Sequence, residues 1–330
     1  MRRLLTTLLL GATACLGAPH YHTIGKIEVG GGGGWDYLTV DSAARRLYVT
    51  HATHVVVIDL DSTKVVGDIP DTPGVHGIAL VPKLNKGFVS NGRGNNVTVF
   101  DLKTLKTIGK VATGENPDAI YYDAASNRVF TFNGRSKDST VIDAGTLKVE
   151  STIPLGDKPE FAVGEGKGII YANLENTHHI AVIDAQKMVL VKKYELMGCD
   201  SPSGLALDAA HTRLFSVCDG NVMAISDPGA GKVVATAKIG DGPDAAAYDP
   251  SKGLAFSSNG DGTLTVVSGS GDKYSVVENT ATHRGSRTMA LDEKTHKLYL
   301  PMAEYEAGAG AQQKRPPMKP NSFAILIVGE

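Results

Sequence analysis

Histidine pairs are the first feature of this sequence that suggests chemistry. His51 and His54 lie three residues apart in the apolar stretch YVTHATHVVVIDL, and His178 and His179 are adjacent in THHI. Imidazole nitrogens bind transition metals, but such a site needs three or four ligands, so neither pair is complete by itself. Histidines in turns are also common without any metal. We therefore predict no transition-metal site at these pairs.

The stretch around His51 is one copy of a repeat, and the repeat indicates the fold. Tyr48–His51 follows a short turn and precedes an alternating run that ends near Asp59. Six more four-residue stretches have the same context: 88–91, 130–133, 170–173, 215–218, 256–259 and 299–302. Each copy holds four short runs with the two-residue alternation of β-strands. Such a unit exposes apolar faces on both sides, and radial repetition of the unit buries them.

Seven copies of four strands predict an all-β, seven-bladed β-propeller of antiparallel blades. The last copy ends after its third strand, in SFAILIV, and the segment 21–30 resembles the fourth strand of the other copies. We therefore expect the N-terminal strand to join the C-terminal blade and close the ring, which removes the open sheet edges. Residues 19–330 would be one domain, with a long Gly/Pro-rich insertion at 303–321 that projects over one face.

Two rings of repeated positions are predicted to meet on one face of this propeller. The first, the axial ring, lies at the start of each innermost strand, with 40 to 43 residues between members: Asp36, His76, Asp118, Glu160, Ser203, Asp244 and Arg287. The second, the signature ring, is the last residue of each four-residue stretch: His51, Asn91, Asn133, Asn173, Cys218, Asn259 and Met302. We expect both rings to line a funnel. The alternative for the Asn and Asp members is a structural role, because these side chains also form hydrogen bonds to the backbone of their own turns. Crowded carboxylates there would raise one another's pKa or recruit a cation.

The cysteines and the first residues bear on the cellular compartment. Arg2 and Arg3 precede an apolar run and then small residues, which is typical of a secretory signal peptide. We predict that residues 1–18 are this signal, with the cleavage point open, and that the protein is periplasmic or secreted. Lipid attachment at Cys15 is the alternative. No later segment is apolar over the length that a transmembrane helix needs.

Cys199 and Cys218 are the only cysteines beyond Cys15. In the predicted propeller they lie on two neighbouring loops of the same face. We expect a structural disulfide in an oxidising compartment; two buried thiols are the alternative.

The four-residue signature resembles that of the YVTN repeat family, the YncE-like seven-bladed propellers of bacteria. The resemblance covers nearly all of the chain after the signal, although Cys218, Met302 and His51 depart from the usual asparagine. It implies an exported propeller but no single activity, because similar propellers serve as lactonases, redox-enzyme subunits, nucleic-acid binders and scaffolds.

The sequence favours a propeller that binds a small ligand or a protein partner through its funnel face and acts as a monomer. No complete catalytic constellation is visible, and no cofactor is predicted; a divalent cation in the funnel is the alternative left open. The first alternative is a lactonase-like hydrolase, in which a funnel carboxylate or a divalent cation activates water and His76 and Arg287 hold an anionic substrate. The second alternative, YncE-like binding of single-stranded DNA, conflicts with the net charge of −2.

Overall fold

Antiparallel four-stranded sheets account for nearly all of the regular structure. The computed structural model describes residues 20–306 and 317–330. The predicted signal, residues 1–18, and the centre of the insertion lie outside these residues. The strands, in chain order, are β1 (His22–Glu28), β2 (Leu38–Asp41), β3 (Arg46–His51), β4 (His54–Asp59), β5 (Lys64–Ile69), β6 (Val75–Val81), β7 (Lys86–Asn91), β8 (Asn96–Asp101), β9 (Thr107–Ala112), β10 (Pro117–Asp123), β11 (Arg128–Asn133), β12 (Asp138–Asp143), β13 (Val149–Pro154), β14 (Pro159–Gly164), β15 (Ile169–Leu174), β16 (His179–Asp184), β17 (Val189–Glu195), β18 (Leu205–Asp208), β19 (Arg213–Cys218), β20 (Val222–Asp227), β21 (Lys232–Lys238), β22 (Pro243–Asp249), β23 (Leu254–Asn259), β24 (Thr263–Ser270), β25 (Lys273–Ala281), β26 (Ala290–Asp292), β27 (Lys297–Met302) and β28 (Ala324–Gly329). A short 3₁₀ helix, Pro82–Leu84, lies between β6 and β7.

The strands form seven blades, as the repeat predicts. Strands β2 to β5 make the first blade, and each following group of four makes the next, up to β22–β25 in the sixth. The seventh blade has the order β1-β28-β27-β26, so the N-terminal strand is its outermost strand. Ile27 pairs with Ile325 and His22 with Gly329 in this antiparallel closure. The predicted seven-bladed, closed architecture is therefore confirmed.

The core lies between blades rather than within them. The two middle strands of a blade are buried on both faces, as in β3 and β4, whereas the outermost strand β5 is mostly exposed. Apolar side chains of neighbouring blades pack together, for example Tyr48 and Val57 of the first blade with Val75 and Phe100 of the second. Because each sheet depends on its neighbours for burial, closure of the ring fixes the relative position of all inner strands.

The insertion of the last blade connects β27 to β28, where the sequence places it. Its described ends pair with each other between Tyr305 and Met318. Asn321 accepts a hydrogen bond from the backbone N–H of Gly31, so the insertion lies against the segment that follows β1. The described residues of the insertion do not line the axial cavity. Among residues 20–306 and 317–330, no helix has the length and hydropathy of a membrane span.

Candidate functional site

The innermost strands all begin at one end of the propeller, here called the funnel face. At this face, on the propeller axis, lies a cavity of about 320 Å³. Its walls come from the axial ring and from a few neighbouring residues: Asp36, Tyr37, His76, Asp118, Lys158, Glu160, Glu175, Ser201, Ser203, Asp219, Pro243, Asp244 and Arg287. Every member of the predicted axial ring is in this set, so the structure brings the whole ring together around one cavity.

Irregular pairing at the start of the inner strands directs these side chains. In the second blade the pairing of β6 with β7 shifts register between Val75 and Ile78, and His76 is one of the residues left unpaired there. The same shift in the third, fourth and sixth blades frees Asp118, Glu160 and Asp244 from the ladder. Such bulges turn a side chain away from the regular alternation and are common beside functional sites.

Side chains at the third signature position hold these irregular segments in place. The Ser90 hydroxyl donates to the carbonyl of Asp118 (2.5 Å), and the Ser258 hydroxyl donates to the carbonyl of Arg287 (2.5 Å). In each case the carbonyl belongs to the axial residue of the next blade. The third signature position therefore positions the cavity wall across the blade boundary.

One corner of the cavity is a cluster of Asp36, His76 and Asp118. The Nδ1 atom of His76 lies 2.6 Å from Asp36 Oδ2 and 3.7 Å from Asp118 Oδ1. Burial alone would lower the pKa of His76, but the hydrogen bond with Asp36 and the charge of Asp118 outweigh it and raise the pKa to about 9. Burial raises the pKa of Asp118 to about 6 and also raises the pKa of Asp36, against the opposing effect of His76. The cluster is thus a desolvated carboxylate pair bridged by one imidazole.

A second corner pairs Lys158 with two glutamates. The Lys158 ammonium contacts both Glu160 and Glu175. Burial, together with the nearby charge of Asp118, raises the pKa of Glu160 to about 8 despite the lysine. Glu160 therefore holds a proton at neutral pH.

The third corner is the pair Asp244 and Arg287, with Arg287 Nε 3.2 Å from Asp244 Oδ2. Burial raises the pKa of Asp244 to about 6 although the guanidinium opposes it. The Arg287 side chain is 51% exposed, whereas that of Asp244 is 14% exposed. The arginine is the part of this corner that solvent reaches.

The signature ring does not line the cavity, contrary to our expectation. Asn91, Asn133 and Asn259 are fully buried and bond to the hairpin that follows them. The Asn133 amide donates to Asp138 (2.6 Å) and Thr140 (2.9 Å), and the other two make equivalent bonds. Met302 is buried as well. These residues hold turns, and the funnel assignment of the signature ring is corrected accordingly.

Asn173 does not occupy the equivalent position at all. Asn91, Asn133 and Asn259 pair with the first residue of the innermost strand, whereas in the fourth blade Leu174 pairs with Pro159. The sequence alignment of this copy was therefore one residue out of register, which turns a side chain to the other face. The Asn173 amide instead donates to the carbonyl of Ser203 (2.8 Å), the axial residue of the next blade. Ser90 and Ser258 make the equivalent bond to the axial residues of their own next blades.

His51 is also outside the cavity. It is 2% exposed, stacks on Phe323 at 4.2 Å between ring centroids, and lies under the chain that follows β1. A Cβ at Gly31, whose φ is 82°, would be 2.9 Å from His51 Cε1, so this glycine permits the close approach. Burial lowers the pKa of His51 to about 4. His51 is a neutral packing residue rather than a funnel residue.

The predicted disulfide is present. Cys199 and Cys218 are bonded, with 5.4 Å between their Cα atoms. The bridge ties the loop before β18 to the end of β19. Asp200 and Asp219, each next to a bonded cysteine, pair as an isolated bridge, and Asp219 reaches the cavity wall.

Sequence reasoning missed several wall residues, of which Tyr37, Lys158, Glu175 and Asp219 are charged or ionisable. Glu175 and Asp219 follow the last signature position, where three other copies have glycine: Gly92, Gly134 and Gly260. The backbone N–H of Glu175 donates to Lys158, as Gly134 donates to Asn116, which confirms the equivalence. The signal in the sequence was an acidic residue where other copies have glycine. For Glu175 this signal was hidden, because the fourth copy was aligned one residue too early.

Comparison with known proteins shows architecture only. No family model and no curated protein matches this chain. Among solved structures, the chain is similar to Kuenenia stuttgartiensis hydrazine synthase, with a TM-score of 0.71 and 16% identity over 81% of this chain and 92% of that one. It is similar to U3-55K (TM-score 0.76, 10% identity, 92% and 98% covered) and to the WD40 repeats of RRP9 (TM-score 0.78, 10% identity, 94% and 99% covered). These likenesses establish the fold alone.

Proposed function

We propose that the protein is a binding propeller that takes a small, positively charged ligand into the axial cavity. The observation that carries the proposal is the charge of the cavity wall. Six acidic side chains line it, against three basic ones, so the acids outnumber the bases even with Glu160 protonated. Carboxylates crowded in a concave, partly desolvated site attract cations and repel anions.

The basic groups of the wall are already paired, which weighs against an anionic ligand. His76 and Arg287 each lie within 3.2 Å of a carboxylate oxygen, and Lys158 contacts two glutamates. An anion would have to displace these partners. A cation would instead share them, because carboxylate oxygens accept several hydrogen bonds.

The size of the cavity fits a small molecule. Its volume of about 320 Å³ is at the lower end of the range for small-molecule sites, roughly 300–1,000 Å³. We propose an oxidising compartment as the place of action, periplasmic or extracellular. The Cys199–Cys218 disulfide supports this, since structural disulfides are rare in reducing compartments.

Isothermal titration with spermidine, putrescine and succinate tests the proposal. We expect both amines to bind and succinate not to bind. Glu175→Gln and Asp244→Asn should each weaken amine binding by about fivefold to tenfold, equivalent to about 1–1.4 kcal/mol. Asp61→Asn, at an exposed position outside the cavity wall, is the matched control and should leave binding unchanged. Equal affinity for succinate, or amine binding that ignores the cavity variants, would contradict a cation-selective site.

A second candidate is a lactonase-like hydrolase, and one observation favours it. Glu160, with a pKa of about 8, is protonated at neutral pH, whereas Asp244, with a pKa of about 6, is mostly ionised. Carboxyl groups whose pKa values are driven apart in one site suit general acid and general base roles. If this function is correct, the protein hydrolyses γ- or δ-lactones and Glu160→Gln abolishes turnover. A rate equal to that of buffer would reject it.

A further inference from the structure

We propose that Asp36, His76 and Asp118 form a binding site for one first-row transition-metal ion, Zn²⁺ or Mn²⁺, in the axial cavity. The three side chains come from the start of the first, second and third blades. This inference deepens the proposed function and rests on it, because the ion is one kind of cationic ligand for the same cavity.

The geometry of the three side chains suits a shared ion. One ligand atom from each residue lies within 4.8 Å of the other two. Metal–nitrogen and metal–oxygen bonds of about 2.0–2.2 Å require ligand atoms about 3–3.5 Å apart in a tetrahedral site. His76 Nδ1 is 2.6 Å from Asp36 Oδ2 and 3.7 Å from Asp118 Oδ1, so movements of about 1 Å would suffice.

Asp118 gives independent evidence for a missing partner. The residue is 8% exposed, and its Oδ1 atom is buried without a hydrogen-bond partner among the described residues. The same oxygen is the one nearest to His76 Nδ1. A buried carboxylate oxygen without a partner is unfavourable by the full cost of its desolvation. A bound cation in the cluster would satisfy it.

The surroundings hold the imidazole and the carboxylate in place. A Cβ at Gly92 would lie 2.6 Å from His76 Nε2, so this glycine leaves room for the ring with Nδ1 turned toward the carboxylates. Ser90 accepts a hydrogen bond from the Gly77 N–H (2.9 Å) and donates to the carbonyl of Asp118. One hydroxyl thus fixes the backbone beside two of the three ligands, which is the support that a preorganised site needs.

The ligand set indicates the class of ion. Mg²⁺ and Ca²⁺ bind through oxygen ligands, whereas an imidazole with carboxylates suits Zn²⁺, Mn²⁺ and related ions. Three protein ligands leave at least one coordination position for water or a second ligand. All three residues line the axial cavity, so a second ligand in that cavity could occupy this position.

Titration of untagged protein, stripped of metal with a chelator, tests the site. We expect one Zn²⁺ per chain by calorimetry, no Mg²⁺ binding at the same concentrations, and a visible d–d spectrum with Co²⁺. His76→Gln and Asp118→Asn should each weaken Zn²⁺ binding at least about 30-fold. His296→Gln is a matched control, because His296 Nδ1 lies 2.7 Å from Asp249 but belongs to no cluster of three among the described residues.

Asp244→Asn is a second control, since it removes a carboxylate of the same cavity outside the cluster. We expect a change of less than about threefold, the effect of charge alone. Absent Zn²⁺ binding, retained binding in His76→Gln, or an equal loss in Asp244→Asn would overturn the site. Circular-dichroism melting establishes that each variant is folded. If spermidine still binds while Zn²⁺ does not, only this inference fails; if neither binds, the proposed function fails with it.

Discussion

Both ends of the propeller carry aspartates at repeated positions, but their surroundings are opposite. At the funnel face, burial raises the pKa of Asp36, Asp118 and Asp244. At the opposite face the third strand of each of the first five blades ends in an aspartate such as Asp59 or Asp143, and hydrogen bonds from the following turn lower the pKa of these two. One residue type thus shows opposite shifts within a single repeat.

The difference comes from the turns. Asp143 accepts hydrogen bonds from the backbone N–H and the hydroxyl of Thr146, and Asp59 does the same with Ser62. Such a carboxylate is satisfied by its own chain. Asp118 instead lies in a bulge, where its Oδ1 atom has no hydrogen-bond partner within residues 20–306 and 317–330 and the nearest cationic group, His76, belongs to another blade. The aspartates of the opposite face thus stabilise turns, whereas Asp118 is not satisfied by a turn of its own chain.

The largest expected effect concerns the seam between the first and last blades on the opposite face. Asp292 is fully buried and accepts hydrogen bonds from the Arg45 guanidinium (2.6 Å) and the Ser42 hydroxyl (2.5 Å). Asp292→Ala leaves the Arg45 guanidinium and the Ser42 hydroxyl without this buried acceptor, so we expect a loss of about 3–5 kcal/mol in the free energy of unfolding. Urea denaturation measures it. Asp61→Ala, which removes an exposed partner of the same arginine, should change stability by less than about 1 kcal/mol; a similar loss in both variants would show that Asp292 has no special role.

The funnel face is also held by a covalent bond, the Cys199–Cys218 disulfide. Replacing both Cys199 and Cys218 by serine removes a bridge between residues 19 apart in sequence. We expect the unfolding free energy to fall by about 3 kcal/mol, because the unfolded chain regains the entropy of this loop. The reduced wild-type protein should show the same loss in urea denaturation. Unchanged stability in both would mean that the hydrogen bonds of the loop hold the wall without the bridge.

The unfolding free energy should depend on pH in opposite directions for the raised-pKa acids of the cavity wall and the lowered-pKa aspartates of the opposite face. Glu160 has a folded pKa of about 8 and an ordinary pKa of 4.5, so the folded state keeps a proton that the unfolded state has lost. Its contribution is fully present below pH 4.5 and is lost as pH rises through 8. Between pH 7 and 9 we expect Glu160 to contribute a fall of about 1 kcal/mol in the unfolding free energy, measured by urea denaturation in the presence of a chelator. The raised pKa of His76 acts with the same sign.

Glu160→Gln should make this part of the profile less steep and leave the slope that His76 contributes. The aspartates of the opposite face have lowered pKa values, so their stabilisation is lost only as pH falls below about 4, outside the window. The window begins at pH 7 because His51, with a pKa lowered to about 4, contributes with the opposite sign at lower pH. If Glu160→Gln leaves the slope of the unfolding free energy between pH 7 and 9 unchanged, other groups cause that slope.

The sequence predicts the architecture and the axial ring but not which ring faces the cavity. Repeat spacing and the unfinished last copy determine the blades and their closure, since both follow from strand alternation. Asn133 and Asp118 both lie at strand ends on the funnel face, and only the shift between Pro117 and Ile120 turns Asp118 inward. A bulge has no composition of its own, so the alternation cannot reveal it. Lys158 and Glu175 were missed because their pairing joins two loops of one copy whose alignment was one residue out of register.

The smallest expected effect is also the most direct comparison, the same substitution in each ring. Asp143→Asn weakens charge-assisted hydrogen bonds to its turn, so we expect a loss of about 0.5–1 kcal/mol in the unfolding free energy. Asp118→Asn removes a desolvated carboxylate whose Oδ1 atom has no hydrogen-bond partner in the described part of the chain, so we expect no loss and a gain of up to about 1 kcal/mol at pH 8. Urea denaturation of both variants in the absence of metal measures whether the unfolding free energy falls or rises in each. Losses of equal size would mean that hydrogen bonds within the protein satisfy the Asp118 carboxylate as they satisfy that of Asp143. Asp118 would then not be a carboxylate that lacks a partner and could accept a ligand.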